Sequence, residues 1–138
     1  MSKYTRASGG WKLVRLAPSV TRAFWSKRRA WQGEEVKIHV ETRHVPDGAK
    51  VTLEVWEDGT DEGAGDELIA EIPGSHAIEN GRCEATWTIA LDPDALGKDL
   101  ALEGESWEFY VRVKIDAPEV TGRSDLLYVD MQALIVSI

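Results

Sequence analysis

The chain has 138 residues and one cysteine, enough length for a single domain with a two-layer core, and an intrachain disulfide is excluded. Its 43% hydrophobic and 29% charged residues are those of an ordinary globular protein, and no run approaches the roughly 18 apolar residues of a membrane-spanning helix. The formal charge of −8 hides an asymmetry: residues 1–33 hold eight basic residues and no acid, whereas residues 34–138 hold the other eight and all 24 acids, which sets a basic arm against an acidic body.

Residues 1–10 end in Ser8-Gly9-Gly10 and read as a flexible lead. Met1 to Arg6 lack the apolar stretch of a secretory signal, so a soluble, cytoplasmic product is expected, with later delivery to an extracellular-facing apparatus kept open. Trp11 to Leu16 is a short apolar stretch stopped by Pro18 and resumed by Val20 to Trp25, a pattern suited to a sheet edge, where a missing N–H does least harm. Lys27-Arg28-Arg29 follows as a charged connection.

Val36, Ile38 and Val40 then alternate with Lys37, His39 and Glu41, and Val51, Leu53 and Val55 alternate with Thr52, Glu54 and Trp56. Period-two alternation marks strands with one face in a core. Pro46-Asp47-Gly48 lies between them and predicts a reversing turn, hence an antiparallel strand pair. Residues 57–67 form an acidic, glycine-rich loop, Leu68 to Ile72 a short strand, and Asn80-Gly81 a tight turn. Cys83, Ala85, Trp87, Ile89 and Leu91 share one face of the next strand, and Asp92-Pro93 to Gly97 reads as one helical turn. Trp107, Phe109, Val111, Val113 and Ile115 line another strand. Ala117-Pro118 and Thr121-Gly122 suggest the next turn, and Leu127, Val129 and Met131 face inward in the last clear strand, opposite Leu126 and Tyr128.

Short strands at regular spacing without a long amphipathic helix predict an all-β protein. Sandwich and barrel both fit, and the spacing favours a two-sheet antiparallel β-sandwich of seven to eight strands, with an N-terminal arm and an extra C-terminal strand; that it is immunoglobulin-like is what a family resemblance implies. Residues 1–19 form the basic arm or edge segment, 20–131 the sandwich, and 132–138 an apolar docking segment. Val36, Ile38, Val40, Val51, Leu53, Val55, Trp87, Ile89, Phe109, Val111 and Val113 are the expected core.

Catalytic signals are thin. Gly104-Glu105-Ser106-Trp107-Glu108 begins like a nucleophile elbow, but the second glycine is absent, so Ser106 is expected simply to start a strand. His39, His44 and His76 are scattered without metal-ligand spacing. Cys83 shares a face with Ala85 and Trp87 and reads as a small buried hydrophobe. The acids of residues 57–67 do not match the spacing of a calcium loop. No catalytic, cofactor or metal residue is assigned, no cofactor is expected, and the chain reads as a non-enzyme.

The outward residues say more. If the strands around 50–57, 106–115 and 124–130 are neighbours in one sheet, Trp56, Tyr110, Leu126 and Tyr128 form an exposed apolar patch, the mark of a partner surface. A register shift of one residue would instead bury Trp56. Lys27, Arg28 and Arg29 suit an acidic surface, on this chain or a neighbour, or nucleic acid. Leu134, Ile135, Val136 and Ile138 make the tail a strand in search of a sheet.

The order Gly33-x-x-Val36-x-Ile38-x-Val40, Pro46-Asp47-Gly48-x-x-Val51-x-Leu53, Asn80-Gly81-Arg82-x-x-Ala85-x-Trp87 and Glu108-Phe109-Tyr110-Val111 resembles bacterial immunoglobulin-like modules. More narrowly, it is similar to those on spike and baseplate proteins of type VI secretion and related contractile injection systems, across about residues 20–130. The resemblance implies a spacer, adaptor or adhesive surface. The expected role is a structural adaptor acting through protein partners, as a homo-oligomer or a component of a multi-protein assembly. Glycan binding by exposed aromatics and nucleic-acid binding by the basic arm are the alternatives.

Overall fold

The structure is a computed structural model that describes residues 16–59, 65–91 and 106–130. Those residues form ten strand segments: β1 (Ser19–Trp25), β2 (Arg29–Trp31), β3 (Glu35–Arg43), β4 (Lys50–Glu57), β5 (Glu67–Glu71), β6 (His76–Ala77), β7 (Arg82–Thr88), β8 (Ser106–Ile115), β9 (Val120–Arg123) and β10 (Leu127–Asp130). β1, β3 and β7 make a three-stranded sheet. The larger sheet runs β2-β10-β8-β4-β5, with β6 against β4 and β9 against β8. Read as A-B-E and A′-G-F-C-C′, this is the strand order of an immunoglobulin-like sandwich. Every described pairing is antiparallel except β2 with β10, which is parallel.

Alternation places the core as expected. Val36, Ile38 and Val40 of β3, Val51, Leu53 and Val55 of β4, and Phe109, Val111 and Val113 of β8 are each 5% exposed or less, as are Trp87 and Ile89. Aromatic rings tie the sheets together: Trp87 stands between Trp25 (5.9 Å between centroids) and Phe109 (6.2 Å), and Trp107 stacks on Phe109.

Three local expectations are corrected. β3 and β4 are not a hairpin pair; they lie in opposite sheets. The turn at Pro46-Asp47-Gly48 carries the chain across the end of the sandwich, with Val45 and Ala49 buried on either side and the Gly48 N–H bonded to the Ile78 carbonyl at 2.7 Å. Gly48 has φ +89°, which suits glycine in that reversal. Of the two pairs expected in the next turn, Ala117-Pro118 lies in it, at residues 116–119, whereas Thr121-Gly122 lies within β9. Arg29 opens a strand rather than closing a connection. Asn80 (φ +53°) and Gly81 (φ +76°) do make the tight turn expected before β7.

Candidate functional site

The outer face of β4-β8-β9 is a linked network. Trp56 on β4 and Tyr110 on β8 are cross-strand partners, both turned away from the core. The Arg112 guanidinium lies 4.1 Å above the Trp56 ring, and that of Arg123 lies 3.6 Å above Tyr110. Trp56 Nε1 donates to Glu54 (3.0 Å), whose second oxygen accepts from Lys114 Nζ (3.2 Å). Burial alone would raise the Glu54 pKa, but these two hydrogen bonds hold it below the usual carboxylate value. The Tyr110 hydroxyl donates to Asp66, which also accepts the Gly59 N–H at 3.1 Å; the phenol first and the amide second hold the Asp66 carboxyl below its usual pKa.

This arrangement corrects the exposed apolar patch. Tyr110 is completely buried and Trp56 half-buried, because the arginines from β8 and β9 lie across their rings. Both rings turn outward, as the alternation implies, but cation–π cover takes Tyr110 out of water and half-covers Trp56. Leu126 and Tyr128 are half-buried too, with Arg29 5.8 Å from the Tyr128 ring centroid.

The basic stretch is largely matched by the chain's own acids. Lys27 Nζ is 2.7 Å from Glu34, which also accepts the Trp31 N–H, and the Lys27 hydrogen bond is the main cause of a lowered Glu34 pKa. Arg29 reaches Asp130 (3.3 Å) and donates to Ser106 Oγ (2.7 Å), which in turn donates to Asp130 (2.7 Å). Ser106 is therefore held between an arginine and an acid at a strand start, without a histidine base. Arg28 is exposed, and its carbonyl accepts the Tyr128 N–H. Residues 1–15, the helical turn at 92–97 and the tail residues Leu134, Ile135, Val136 and Ile138 lie outside the described residues.

On the smaller sheet, Arg22 lies 4.0 Å over Phe24, and Phe24 stacks on His39 at 5.0 Å. His39 is thus half-covered rather than freely solvated. An open groove of about 630 Å³ runs beside this stack, lined by Phe24, His39, Glu41, Glu79, Arg82 and Glu84. Cys83 is buried behind it, and that burial raises the thiol pKa. His76 Nε2 faces the Pro73 carbonyl at 3.1 Å. Among the described residues no three His, Cys, Asp or Glu side chains are placed to hold a metal ion, and no helix is long and apolar enough to cross a membrane. Glu57 faces Glu67 across β4 and β5; burial first and that neighbour second raise its pKa.

One feature escaped sequence reasoning: the outer edge of β7. Ile89 and Gly81 bond backbone to backbone with the β3 side, through Glu34 and Thr42. In an antiparallel ladder the groups alternate, so residues 83, 85 and 87 face β3 and the N–H and C=O of Glu84, Thr86 and Thr88 point away from it. No strand among the described residues pairs with them. The available signal was negative: residues 84–88 contain no proline and no bulge, and Glu84 is their one charge.

No family model and no curated protein matches the chain. Solved structures similar to it include the sporulation control protein Spo0M of Bacillus subtilis, at 20% identity and TM-score 0.49, over 86% of this chain and 51% of that one. Alkylpurine DNA glycosylase AlkC of Pseudomonas fluorescens follows at 10% identity and TM-score 0.46, over 81% of this chain and 30% of that one. Superoxide reductase (neelaredoxin) of Ignicoccus hospitalis has 8% identity and TM-score 0.40, over 81% and 78%. The chain spans about half the length of the Spo0M chain. At these levels none of the three lends this chain an activity, and none is a secretion-apparatus module.

Proposed function

We propose that this chain is a non-catalytic structural or adaptor module that works through protein–protein contacts in a larger assembly. The observation that carries the reading is the unguarded β7 edge, in a fold whose other outward chemistry is largely satisfied internally. A bare strand edge offers backbone donors and acceptors to another polypeptide. Three of the outward carboxylates, Glu34, Glu54 and Asp66, each serve a hydrogen-bonded structural pair.

The alternatives have less to rest on. Nucleic-acid binding would draw on Lys27 and Arg29, which are engaged by Glu34 and Asp130. A glycan platform would need adjacent exposed rings; Trp31 is 44% exposed, whereas Trp56 and Tyr110 are covered by arginines. A type VI-like contractile injection apparatus is one setting that the sequence resemblance suggests for such a module. The tail is proposed as a second contact, consistent with its apolar character.

The test is the mass of the full chain in solution across concentration and salt, beside a titration with duplex DNA. A mass above the monomer that grows with concentration is expected, with weak, non-specific DNA binding. Nanomolar, steeply salt-dependent DNA affinity at physiological salt would overturn the reading. Removing residues 132–138 is expected to leave a folded sandwich that assembles less well; unfolding would place the tail in the monomer's own core.

A further inference from the structure

We infer that β7 is a self-pairing edge: two copies of this chain join β7 to β7, antiparallel, about a two-fold axis through Thr86. The inference rests on the protein-contact reading above and names the partner, a second copy, and the register.

Three observations carry it. The backbone groups of Glu84, Thr86 and Thr88 point out of the sheet with no strand against them among the described residues. The other sheet ends are blunted. β1 carries a bulge between Val20 and Arg22 and packs on β9, β2 is only three residues long, and β5 has a register shift against β4. Finally, one register pairs all three outward residues of β7 with one another and sets no like charges opposite.

A two-fold axis passes either through a residue whose hydrogen-bonding groups face outward, Glu84, Thr86 or Thr88, or midway between two of them, at Ala85 or Trp87. An axis at Ala85 sets Thr88 against Arg82, whose N–H and C=O already bond Glu79, and one at Trp87 carries Glu84 past Thr88 of the second copy, so each pairs only two of the three outward residues with one another. An axis through Glu84 sets two carboxylates face to face. An axis through Thr88 leaves Glu84 beyond the partner strand. The axis through Thr86 pairs threonine with threonine and Glu84 with Thr88 of the second copy, so no like charges meet. On the inner face the same register sets Ala85 beside Trp87 of the second copy, small against large. Glu84 is also partly compensated within its own chain, 3.6 Å from Lys37 and 3.7 Å from His39. The product is a continuous six-stranded sheet made from two three-stranded ones.

Charge exchange at the axis tests this. The Thr86 side chain is exposed, so Thr86→Lys and Thr86→Glu are expected to keep the wild-type circular dichroism and melting curve. Sedimentation equilibrium of the full chain is expected to show a dimer. Either variant alone should raise the dimer dissociation constant roughly five- to tenfold, through two like charges at the axis. An equimolar mixture of the two should recover wild-type affinity as a heterodimer. A wild type that stays monomeric at every concentration overturns self-pairing and leaves the protein-contact reading to a different partner. A dimer unmoved by either substitution overturns the β7 edge while keeping that reading. Variants that weaken the dimer but do not recover on mixing overturn the Thr86 register.

Discussion

The two edges of the three-stranded sheet are built from the same chemistry and end differently. At β1, the outward Trp25 N–H is bonded to Asp125 Oδ1 (3.2 Å), the indole N–H to the Asp125 carbonyl (3.1 Å), and Val20 sits so close to Gly122 that a Cβ there would lie 2.7 Å away. That edge is stitched to the larger sheet at Trp25 and at Val20. At β7, Glu84, Thr86 and Thr88 alternate along an edge with no such stitching among the described residues. An edge is thus closed by what its neighbours present to it, and its own residues do not decide the matter.

The comparison can be broken at several strengths. Phe109→Ala removes a ring in the core shared by both edges and is expected to cost about 3–5 kcal/mol in urea denaturation. A loss within about 0.5 kcal/mol would mean that the ring is not packed as described. Gly122→Ala acts on the β1 edge alone. The new methyl meets Val20 side-chain atoms at 2.7 Å, and a loss of about 1–3 kcal/mol is expected, relieved when Val20→Ala is added.

Tyr110→Phe probes the sealed face, away from both edges, and carries a pH signature. Asp66 has a lowered folded-state pKa, so the stability it contributes is present above the ordinary carboxylate range and is lost as pH falls through that lowered value. The wild type is expected to exceed Tyr110→Phe by about 1 kcal/mol at neutral pH, the difference shrinking on acidification. A difference that grows toward acid would contradict the assigned hydrogen bond. Thr86→Lys, on the bare edge, is expected to change monomer stability by less than about 0.5 kcal/mol.

Much of the fold is legible in the alternation of residues 36–40, 51–55 and 107–115, because burial of one strand face leaves a local, period-two trace. The partition of strands between sheets is not. Pro46-Asp47-Gly48 specifies a change of direction, and only the burial of Val45 and Ala49 against distant strands makes it a crossover. The cover on Trp56 and Tyr110 comes from Arg112 and Arg123, placed opposite each other by the β8–β9 register, which no short window of sequence reports. The β7 edge was illegible for the same reason: Glu84, Thr86 and Thr88 alternate like any outward strand residues, and that no described strand pairs with them follows from the arrangement of distant segments.

Amide hydrogen exchange, read residue by residue in dilute and in concentrated protein, tests the contrast between the edges most directly. The Trp25 amide is expected to be protected at both concentrations, through Asp125. The amides of Glu84, Thr86 and Thr88 are expected to exchange rapidly when dilute and to gain protection together as concentration rises. Protection of those three that is the same at every concentration, whether high or absent, would contradict the account.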